Sequence, residues 1–209
     1  MNDSLERARS WADELMSLLD GYSFEPNERS QLSASFLSLV IRHQRAINDL
    51  FSLKHGNSAL ALLRPQTESL VRGLWFRRCA TQAELTAFIK SEKIPPLPKM
   101  IASIETTPGY KNGTLKIYKE RTYKQLCGFT HGGNLQFFYL NTDGEVRSAI
   151  PLEVVDNSLN DAARIALLAG LDLCAIDNRN DLATAALSSY QKIYDSEPEC
   201  VGQENVLKP

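Results

Sequence analysis

Apolar residues recur at spacings of three and four along most of the chain, which is the pattern of amphipathic helices. The first segment of this kind covers residues 5–19, and the second, over residues 27–53, is long and has one apolar face. The pattern then resumes and continues to about Cys79, with Pro65 inside it. Because proline lacks a backbone N–H and clashes with the preceding turn, this third helix is predicted either to kink at Pro65 or to begin near Arg64.

Further helices are indicated beyond this point. Thr81 and Glu84 match the capping box that opens a helix, and the proline-rich residues 94–98 end it. A short helix is predicted over residues 99–105, and a longer one over residues 113–131.

The period changes after this helix, and one β-hairpin is predicted. Residues 135–140 and 146–150 are rich in strand-forming side chains, and they flank the turn-forming sequence Asn-Thr-Asp-Gly at 141–144. This hairpin insertion near 135–150 is the only good strand candidate in the sequence. Its aromatic residues 137–139 are expected to pack in the core, with stacking on nucleic-acid bases or contact with a second subunit as the alternatives.

The rest of the sequence returns to helix, so the fold class is predicted to be all-α. Residues 152–195 are rich in alanine and leucine, with an interruption near 177–180. The sequence therefore predicts a single helical-bundle domain over residues 1–195 that carries the hairpin insertion. Residues 196–209 have too few apolar side chains to pack and are expected to form a frayed tail.

Composition narrows the classes of partner. The chain has 209 residues, of which 43% are hydrophobic and 23% charged, and its formal charge is −2. This charge argues against a large basic surface for duplex nucleic acid, although a local basic site remains compatible with it. The first ten residues lack the apolar core of a secretory signal, and no apolar run is long enough to span a bilayer, so a cytoplasmic protein without a membrane partner is expected.

The usual enzyme and cofactor fingerprints are absent from the sequence. It contains no P-loop, dinucleotide-binding, HExxH, GxSxG or EF-hand pattern. The three histidines, His43, His55 and His131, are not spaced by three or four, and the four cysteines include no CxxC pair. No metal site and no cofactor are therefore predicted.

The segment from Tyr123 to Gly133 holds the first candidate site. On a helix, Lys124, Gly128 and His131 fall at i, i+4 and i+7 and share one face. Lysine can bind a phosphate oxygen, and histidine can move a proton to or from a ribose hydroxyl. The alternative is architectural: His131 caps the helix C-terminus, Gly128 allows close packing and Lys124 is solvated.

Arg64, Glu68 and Arg72 are spaced by four on the third helix and form the second candidate site. Their simplest interpretation is a partly exposed salt-bridge row. The functional hypothesis is that Arg64, or Arg77 and Arg78 further along, adds positive charge around the histidine of the first site and binds an anionic substrate.

Two segments of the chain resemble a known group of proteins. Residues 63–75 contain an Arg-Pro-x-x-Glu motif, from Arg64 to Glu68, and residues 123–133 contain a Tyr-x-x-Leu…His-Gly motif. Together they resemble a group of uncharacterised bacterial all-helical proteins whose wider relatives are HEPN-like. The resemblance extends in pattern over about residues 31–194.

This resemblance implies a helical bundle, a homodimer and, as in many HEPN proteins, a metal-independent ribonuclease of toxin–antitoxin or phage-defence systems. The HEPN motif is an arginine, usually followed by a polar residue, and then a histidine after four to six intervening residues. Here six residues separate Lys124 from His131, and Gln125 is the polar neighbour. Lysine therefore replaces the arginine, and it lacks the bidentate fork that grips a phosphate.

Two hypotheses follow for the function. The first is a HEPN-like protein that binds or cleaves RNA as a homodimer, with an antitoxin or other protein as partner, and with His131 and Lys124 as its catalytic residues. The other site residues of this hypothesis are Arg64, Arg72 and Tyr123 for substrate binding, and Glu68 and Gly128 for structural support. The second hypothesis is a non-catalytic helical interaction module in which His131 and the pair Arg64–Glu68 are architectural.

Overall fold

The structure, a computed structural model, describes residues 2–142, 145–146 and 148–194. Within these residues the chain forms nine α-helices and one short antiparallel strand pair, so the predicted all-α class is confirmed. The elements are α1 (Asn2–Leu18), α2 (Glu28–Ser52), α3 (Gly56–Arg78), α4 (Gln82–Ser91), α5 (Leu97–Ile104), α6 (Thr114–Thr130), α7 (Asn134–Leu140), β1 (Asn141–Thr142), β2 (Glu145–Val146), α8 (Leu152–Cys174) and α9 (Asn180–Tyr194).

The long helices α2 and α3 form an antiparallel pair joined by a short connection. Asn27 starts α2 with a capping box, in which its side chain accepts a hydrogen bond from the backbone of Ser30 and the Ser30 hydroxyl accepts one in return. The two helices approach closely at Gly73, where a Cβ atom would lie 2.8 Å from the Leu37 side chain. Any side chain at this position would therefore force the pair apart.

One buried side chain ties this pair to α8. Gln66 of α3 is fully buried, and its Nε2 donates to the carbonyl oxygens of Val40 on α2, at 3.3 Å, and Ala162 on α8, at 3.0 Å. Because Gln66 lies between Arg64 and Glu68 in the sequence, these bonds fix the part of α3 that carries both candidate residues.

A buried apolar cluster holds α6 against the same part of α3. It contains Ala8, Ile47, Phe51, Ala59, Leu60, Leu63, Leu126, Phe129, Val155, Leu159 and Ala162. Leu63 immediately precedes Arg64, and Phe129 lies two residues before His131, so the backbone on both sides of the candidate site is anchored by burial.

The third helix is not interrupted at its proline. Gly56–Arg78 is one uninterrupted helix with Pro65 inside it, so the predicted alternative of a start near Arg64 is wrong. Proline at this position leaves the carbonyl of Ala61 without its helical donor. The hydroxyl of Thr130 on α6 lies 3.3 Å from that oxygen and 2.9 Å from the carbonyl oxygen of Leu126. Its single proton is shared between the two acceptors, so it replaces only part of the missing bond.

The predicted hairpin at 135–150 is not what the chain forms. Its expected first strand is the helix α7, and pairing is limited to the two-residue strands β1 and β2. The turn residues 143–144 lie outside the described residues.

α7 packs one face inward and leaves two aromatic rings at the surface. Leu135 and Tyr139, one helical turn apart, pack against the apolar cluster. Phe137 and Phe138 are 60% and 62% exposed, so the expectation that the aromatic run packs in the core is wrong for these two. Consecutive apolar residues fall on different faces of a helix, and for that reason the run cannot be buried as a whole.

The remaining helix boundaries agree well with the predictions. Thr81 caps α4 with reciprocal hydrogen bonds to Glu84, and the last two helices are separated at residues 175–179. The expected tail at 196–209 lies outside the described residues. None of the described helices combines the length and the apolar character that a membrane span requires.

Candidate functional site

The packing of α6 against α3 brings four of the predicted site residues into one hydrogen-bonded group, which we call the Arg64 cluster: Arg64, Glu68, Tyr123 and His131. Nε of Arg64 donates to Oε1 of Glu68 over 2.7 Å, and the Tyr123 hydroxyl donates to the same oxygen over 2.8 Å. Nη1 of Arg64 contacts Nε2 of His131. The guanidinium also lies 5.5 Å from the centre of the Tyr123 ring, within cation–π range.

The contact between Arg64 and His131 decides where the imidazole carries its proton. A guanidinium has donors only, so Nε2 of His131 accepts this hydrogen bond with its lone pair. The neutral ring then carries its proton on Nδ1. Because His131 is exposed, the ring is accessible from solvent.

A glycine-dependent helix cap positions the histidine. His131 is the C-cap of α6, and its backbone N–H donates to the carbonyl of Cys127. Gly132 follows in the left-handed region, with φ of +69°, and the N–H of Gly133 donates to the carbonyl of Gly128 over 2.7 Å, as in a Schellman motif. A Cβ atom on Gly133 would lie 2.8 Å from the Gly128 backbone. The His-Gly-Gly sequence is therefore the local signal that ends α6 and sets the histidine at its last turn.

Glu68 anchors the cluster as an ionised carboxylate. Burial raises the pKa of this carboxyl group, but the hydrogen bonds from Tyr123 and Arg64, together with the charges of Arg64 and Arg72, outweigh burial and hold the pKa below its ordinary value. Burial, and then the bond to Glu68, raise the pKa of Tyr123. At neutral pH the carboxylate therefore accepts and the phenol donates.

Arg72 reaches the cluster only through this carboxylate. Its Nη2 lies 3.5 Å from Oε2 of Glu68, and its guanidinium lies 5.9 Å from the centre of the Phe36 ring. It adds positive charge on the side of Glu68 away from Arg64, at about two helical turns from Arg64 along α3.

Lys124 and Gly128 do not take part in the cluster. Lys124 is exposed and makes no hydrogen bond or ion pair with the residues that the structure describes. A Cβ atom on Gly128 would meet nothing within 4 Å, so this glycine is not needed for close helix packing. The side chain in contact with His131 is an arginine from α3, and not Lys124 of the histidine's own helix.

Arg77 and Arg78 lie about 20 Å further along α3, by its rise per residue. Both pair with Asp172 of α8, whose other oxygen accepts the Tyr110 hydroxyl over 2.7 Å. The hypothesis that these two arginines add charge near His131 is therefore wrong.

The sequence analysis did not single out Asp172 or Tyr110. One signal was available, because Asp172 is the only charged residue in the apolar run 165–176. A carboxylate in such a run is buried with a partner more often than it is left alone.

Comparison with known proteins places these helices in a family. A family model matches residues 37–199. The chain belongs to DUF6988, a family of unknown function. The DUF6988 match includes all of α3 and α6, so every member of the Arg64 cluster lies within it. No curated protein and no solved structure matches the chain.

Within the described part of the chain, no group of three or more His, Cys, Asp or Glu side chains is suited to hold a metal ion. The groups of the Arg64 cluster themselves offer three kinds of chemistry. Arg64 can bind an anion, His131 can transfer a proton, and Glu68 with Tyr123 can orient the guanidinium.

Proposed function

We propose that this DUF6988 protein is a HEPN-like protein that binds RNA and cleaves it without a metal ion, as bacterial toxins and phage-defence proteins of that type do. The observation that carries the proposal is the contact between Arg64 and His131, which sets a phosphate-binding group beside a proton-transfer group at the surface. In the HEPN motif an arginine of the histidine's own helix assists the histidine, and this chain has Lys124 at that position. We propose that Arg64, from a different helix, takes over the role of that arginine. The resemblance of both motif segments to HEPN-like proteins provides the expectation of an RNA substrate.

Arg64 is well placed to hold a phosphodiester. Its Nε is engaged by Glu68 and its Nη1 contacts His131, so a phosphate that binds both terminal nitrogens in the bidentate manner typical of arginine must replace the histidine at Nη1. Tyr123 fixes the carboxylate from the other helix and so limits rotation of the guanidinium. When phosphate oxygens take the donors of Nη1, Nε2 of His131 is released to act as a base.

His131 then acts on the ribose next to that phosphate. Its Nε2 takes the proton of the 2′-hydroxyl, whose oxygen forms a bond to phosphorus while the bond from phosphorus to the 5′ oxygen breaks. The 5′ oxygen leaves with a proton from water, and the hydroxide that remains takes the proton from His131, so the base is regenerated. The products are a 2′,3′-cyclic phosphate and a 5′-hydroxyl end. Arg64 stabilises the negative charge that develops on the phosphate oxygens.

Two further cations extend the positive surface around the Arg64 cluster. Arg72 on α3 and Lys124 on α6 attract neighbouring phosphates of the same strand. The protein acts as a cytoplasmic homodimer, and an antitoxin or another protein partner restrains it.

The test is cleavage of a mixed single-stranded RNA pool in the presence of EDTA. We expect the wild type to cut, and His131→Ala and Arg64→Ala to lose at least about 100-fold in rate, since a positioned acid–base group contributes about that much. The matched control is His55→Ala, because His55 is also exposed and its side chain makes no capping bond at the start of α3.

Circular dichroism must show that all variants are folded. A wild type that does not cut, or a folded His131→Ala variant that cuts as fast as the control, would refute the catalytic proposal.

A second candidate function is a non-catalytic helical interaction module. It is favoured by the way in which Arg64, Glu68 and Tyr123 satisfy one another and tie α3 to α6. In this case the wild type leaves RNA intact, while Arg64→Ala lowers the thermal midpoint of unfolding and His55→Ala does not. The lower midpoint of Arg64→Ala is expected under both functions, so cleavage of RNA by the wild type is the result that separates them.

A further inference from the structure

A cavity of about 420 Å³ opens between the start of α2, the end of α3 and the end of α8. Arg29, Arg77 and Arg78 line it, and none of its described lining residues is acidic. Its volume falls within the range of sites that hold small molecules. It lies at the opposite end of α3 from the Arg64 cluster and plays no part in the proposed cleavage of RNA.

The charges at this cavity do not balance. Among the described residues, Asp172 is the only carboxylate paired with any of the three arginines, and its side chain is 5% exposed. It pairs with Arg77 and Arg78, whereas Arg29 bonds only to backbone carbonyls. Three guanidinium groups and one carboxylate leave a formal excess of two positive charges, which the partial negative charges at the ends of α3 and α8 offset only in part.

Backbone bonds hold these guanidinium groups in place and still leave donors available. Arg29 donates to the carbonyl oxygens of Phe76, over 2.6 Å, and Ala80, over 2.7 Å. Arg77 donates to the carbonyl of Ala175 over 2.9 Å. A guanidinium has five N–H donors, so each of these two arginines keeps several for a ligand.

The start of α2 adds to the attraction for an anion. Asn27, the N-cap of α2, lines the same cavity, and the positive end of the helix dipole lies there. The ends of α3 and α8 carry the opposite partial charge, and the bonds from Arg29 and Arg77 already satisfy carbonyl oxygens at those ends. Glu28, the first residue of α2, does not line the cavity, and its carboxylate instead accepts a hydrogen bond from Gln82.

We propose that this cavity binds the phosphoryl group of a small phosphate monoester. Such a group carries a charge of about −1.5 to −2 at neutral pH, which is close to the formal excess of two positive charges. A phosphodiester of RNA carries a single charge and matches them less well. Arginine is the side chain best suited to the group, because its fork makes two parallel hydrogen bonds to phosphate oxygens.

Isothermal titration calorimetry with the full chain tests this site. The probes are inorganic phosphate, adenosine 5′-monophosphate and a DNA oligonucleotide without terminal phosphates, which carries phosphodiesters but lacks the 2′-hydroxyl that the proposed RNA cleavage requires. Arg29→Gln is the most suitable variant, because Arg29 does not pair with Asp172. Its removal therefore leaves the buried carboxylate with both of its arginine partners. Arg9→Gln is the matched control, since it removes one positive charge from a partly exposed arginine on α1.

We expect phosphate or the monophosphate to bind the wild type and Arg9→Gln, and to bind Arg29→Gln about tenfold more weakly or worse, as the loss of one charge-assisted hydrogen bond implies. Equal affinity for the two anions would identify the phosphoryl group alone as the ligand, and tighter binding of the monophosphate would identify an organic monoester. Arg29→Lys keeps the charge and loses the forked donor group, so its affinity for both anions should lie between those of the wild type and Arg29→Gln. If Arg29→Gln does not fold, Arg29→Lys is measured in its place.

The proposal would be overturned if neither anion bound the wild type, or if the anions bound Arg29→Gln as tightly as the wild type. It would also be overturned if the oligonucleotide bound the wild type more tightly than both anions and did not bind Arg29→Gln. None of these results bears on the Arg64 cluster, because Arg29 has no contact with it. RNA cleavage is read out separately, and so the two proposals can fail independently.

Discussion

The hydroxyl of Tyr123 on α6 donates a 2.8 Å hydrogen bond to Oε1 of Glu68 on α3. The same oxygen accepts Nε of Arg64, so one carboxylate oxygen joins a residue of α6 to the arginine that contacts His131. The orientation of the guanidinium therefore depends on a side chain from the opposite helix. This dependence makes the cluster testable one member at a time.

Tyr123→Phe removes this bond and leaves the ring in place. We expect it to lower the free energy of unfolding by about 1 kcal/mol, which is less than the ~1.5–3 kcal/mol of a bond to a buried charged group, since the carboxylate is partly exposed. Urea denaturation at neutral pH measures the change. In the background of Glu68→Gln the effect should shrink, and two strictly additive effects would show that the bond contributes nothing.

Glu68 should make the stability of the protein depend on pH in a defined direction. Its pKa is lower in the folded state than in the unfolded chain, where it is about 4.3. The ionised carboxylate therefore stabilises the fold above that value, and the contribution is lost as the pH falls through the lower folded pKa. The difference in unfolding free energy between wild type and Glu68→Gln should be constant near neutral pH and decrease in acid. A difference that does not change with pH would contradict the assignment.

Arg64 and Lys124 can be compared directly as the cation that assists His131. Arg64→Lys retains the charge, but an ammonium group cannot hold Glu68 and reach the imidazole with separate nitrogens as a guanidinium does. We expect this variant to reduce RNA cleavage about tenfold or more, as the loss of one charge-assisted bond implies. Lys124→Ala should have a much smaller effect at the same salt concentration. A larger loss of cleavage in Lys124→Ala than in Arg64→Lys would contradict this assignment and would identify Lys124 as the essential cation.

These expectations also show what the sequence could and could not predict. The helices follow from apolar spacing and capping signals such as Thr81 and Glu84, because both act over one or two turns. The hairpin prediction was wrong at residues 135–140 because a run of consecutive apolar residues fits a helix or a strand. A strand would place Phe137 on the same face as Leu135 and Tyr139, and only the exposure of Phe137 beside these two packed residues distinguishes the helix.

The site could be predicted only in part, for a related reason. Each member of the Arg64 cluster was a candidate on its own helix, but 67 positions separate Arg64 from His131 and no spacing rule connects them. Their contact depends on how α6 packs against α3, which a pattern within one helix does not contain. The pairing of Asp172 with Arg78 is equally long-range.

The Asp172 group should be a main contributor to stability at its end of the bundle. Asp172→Ala removes a buried carboxylate that two arginines and a tyrosine share, and we expect a loss of about 3–5 kcal/mol in unfolding free energy. Tyr110→Phe removes one hydrogen bond to the same carboxylate and should cost about 1–3 kcal/mol. Thermal and urea unfolding measure both. A loss below about 1 kcal/mol for Asp172→Ala would mean that its ion pairs are not formed in solution.

Pro65 and Thr130 should be coupled through the carbonyl of Ala61. Pro65→Ala restores a helical donor to that oxygen and removes a residue that costs up to about 3 kcal/mol in a helix interior, so we expect an increase in stability of about 1 kcal/mol or more. Thr130→Val removes the hydroxyl that lies 3.3 Å from the same oxygen, and alone it should cost about 0.5–1 kcal/mol. In the Pro65→Ala background the cost of Thr130→Val should decrease, because the oxygen then has its own backbone donor.

The control for this cycle is Thr122→Val. Thr122, like Thr130, donates to a carbonyl one turn back on α6, at 2.7 Å from that of Tyr118, but it makes no hydrogen bond to Ala61. Its cost should be the same with and without the proline, since the two changes share no partner. If Thr130→Val shows the same independence, the contact between Thr130 and Ala61 does not compensate for the proline. Coupling at Thr130 alone would establish that the Arg-Pro motif is accommodated in α3 by a side chain of the neighbouring helix.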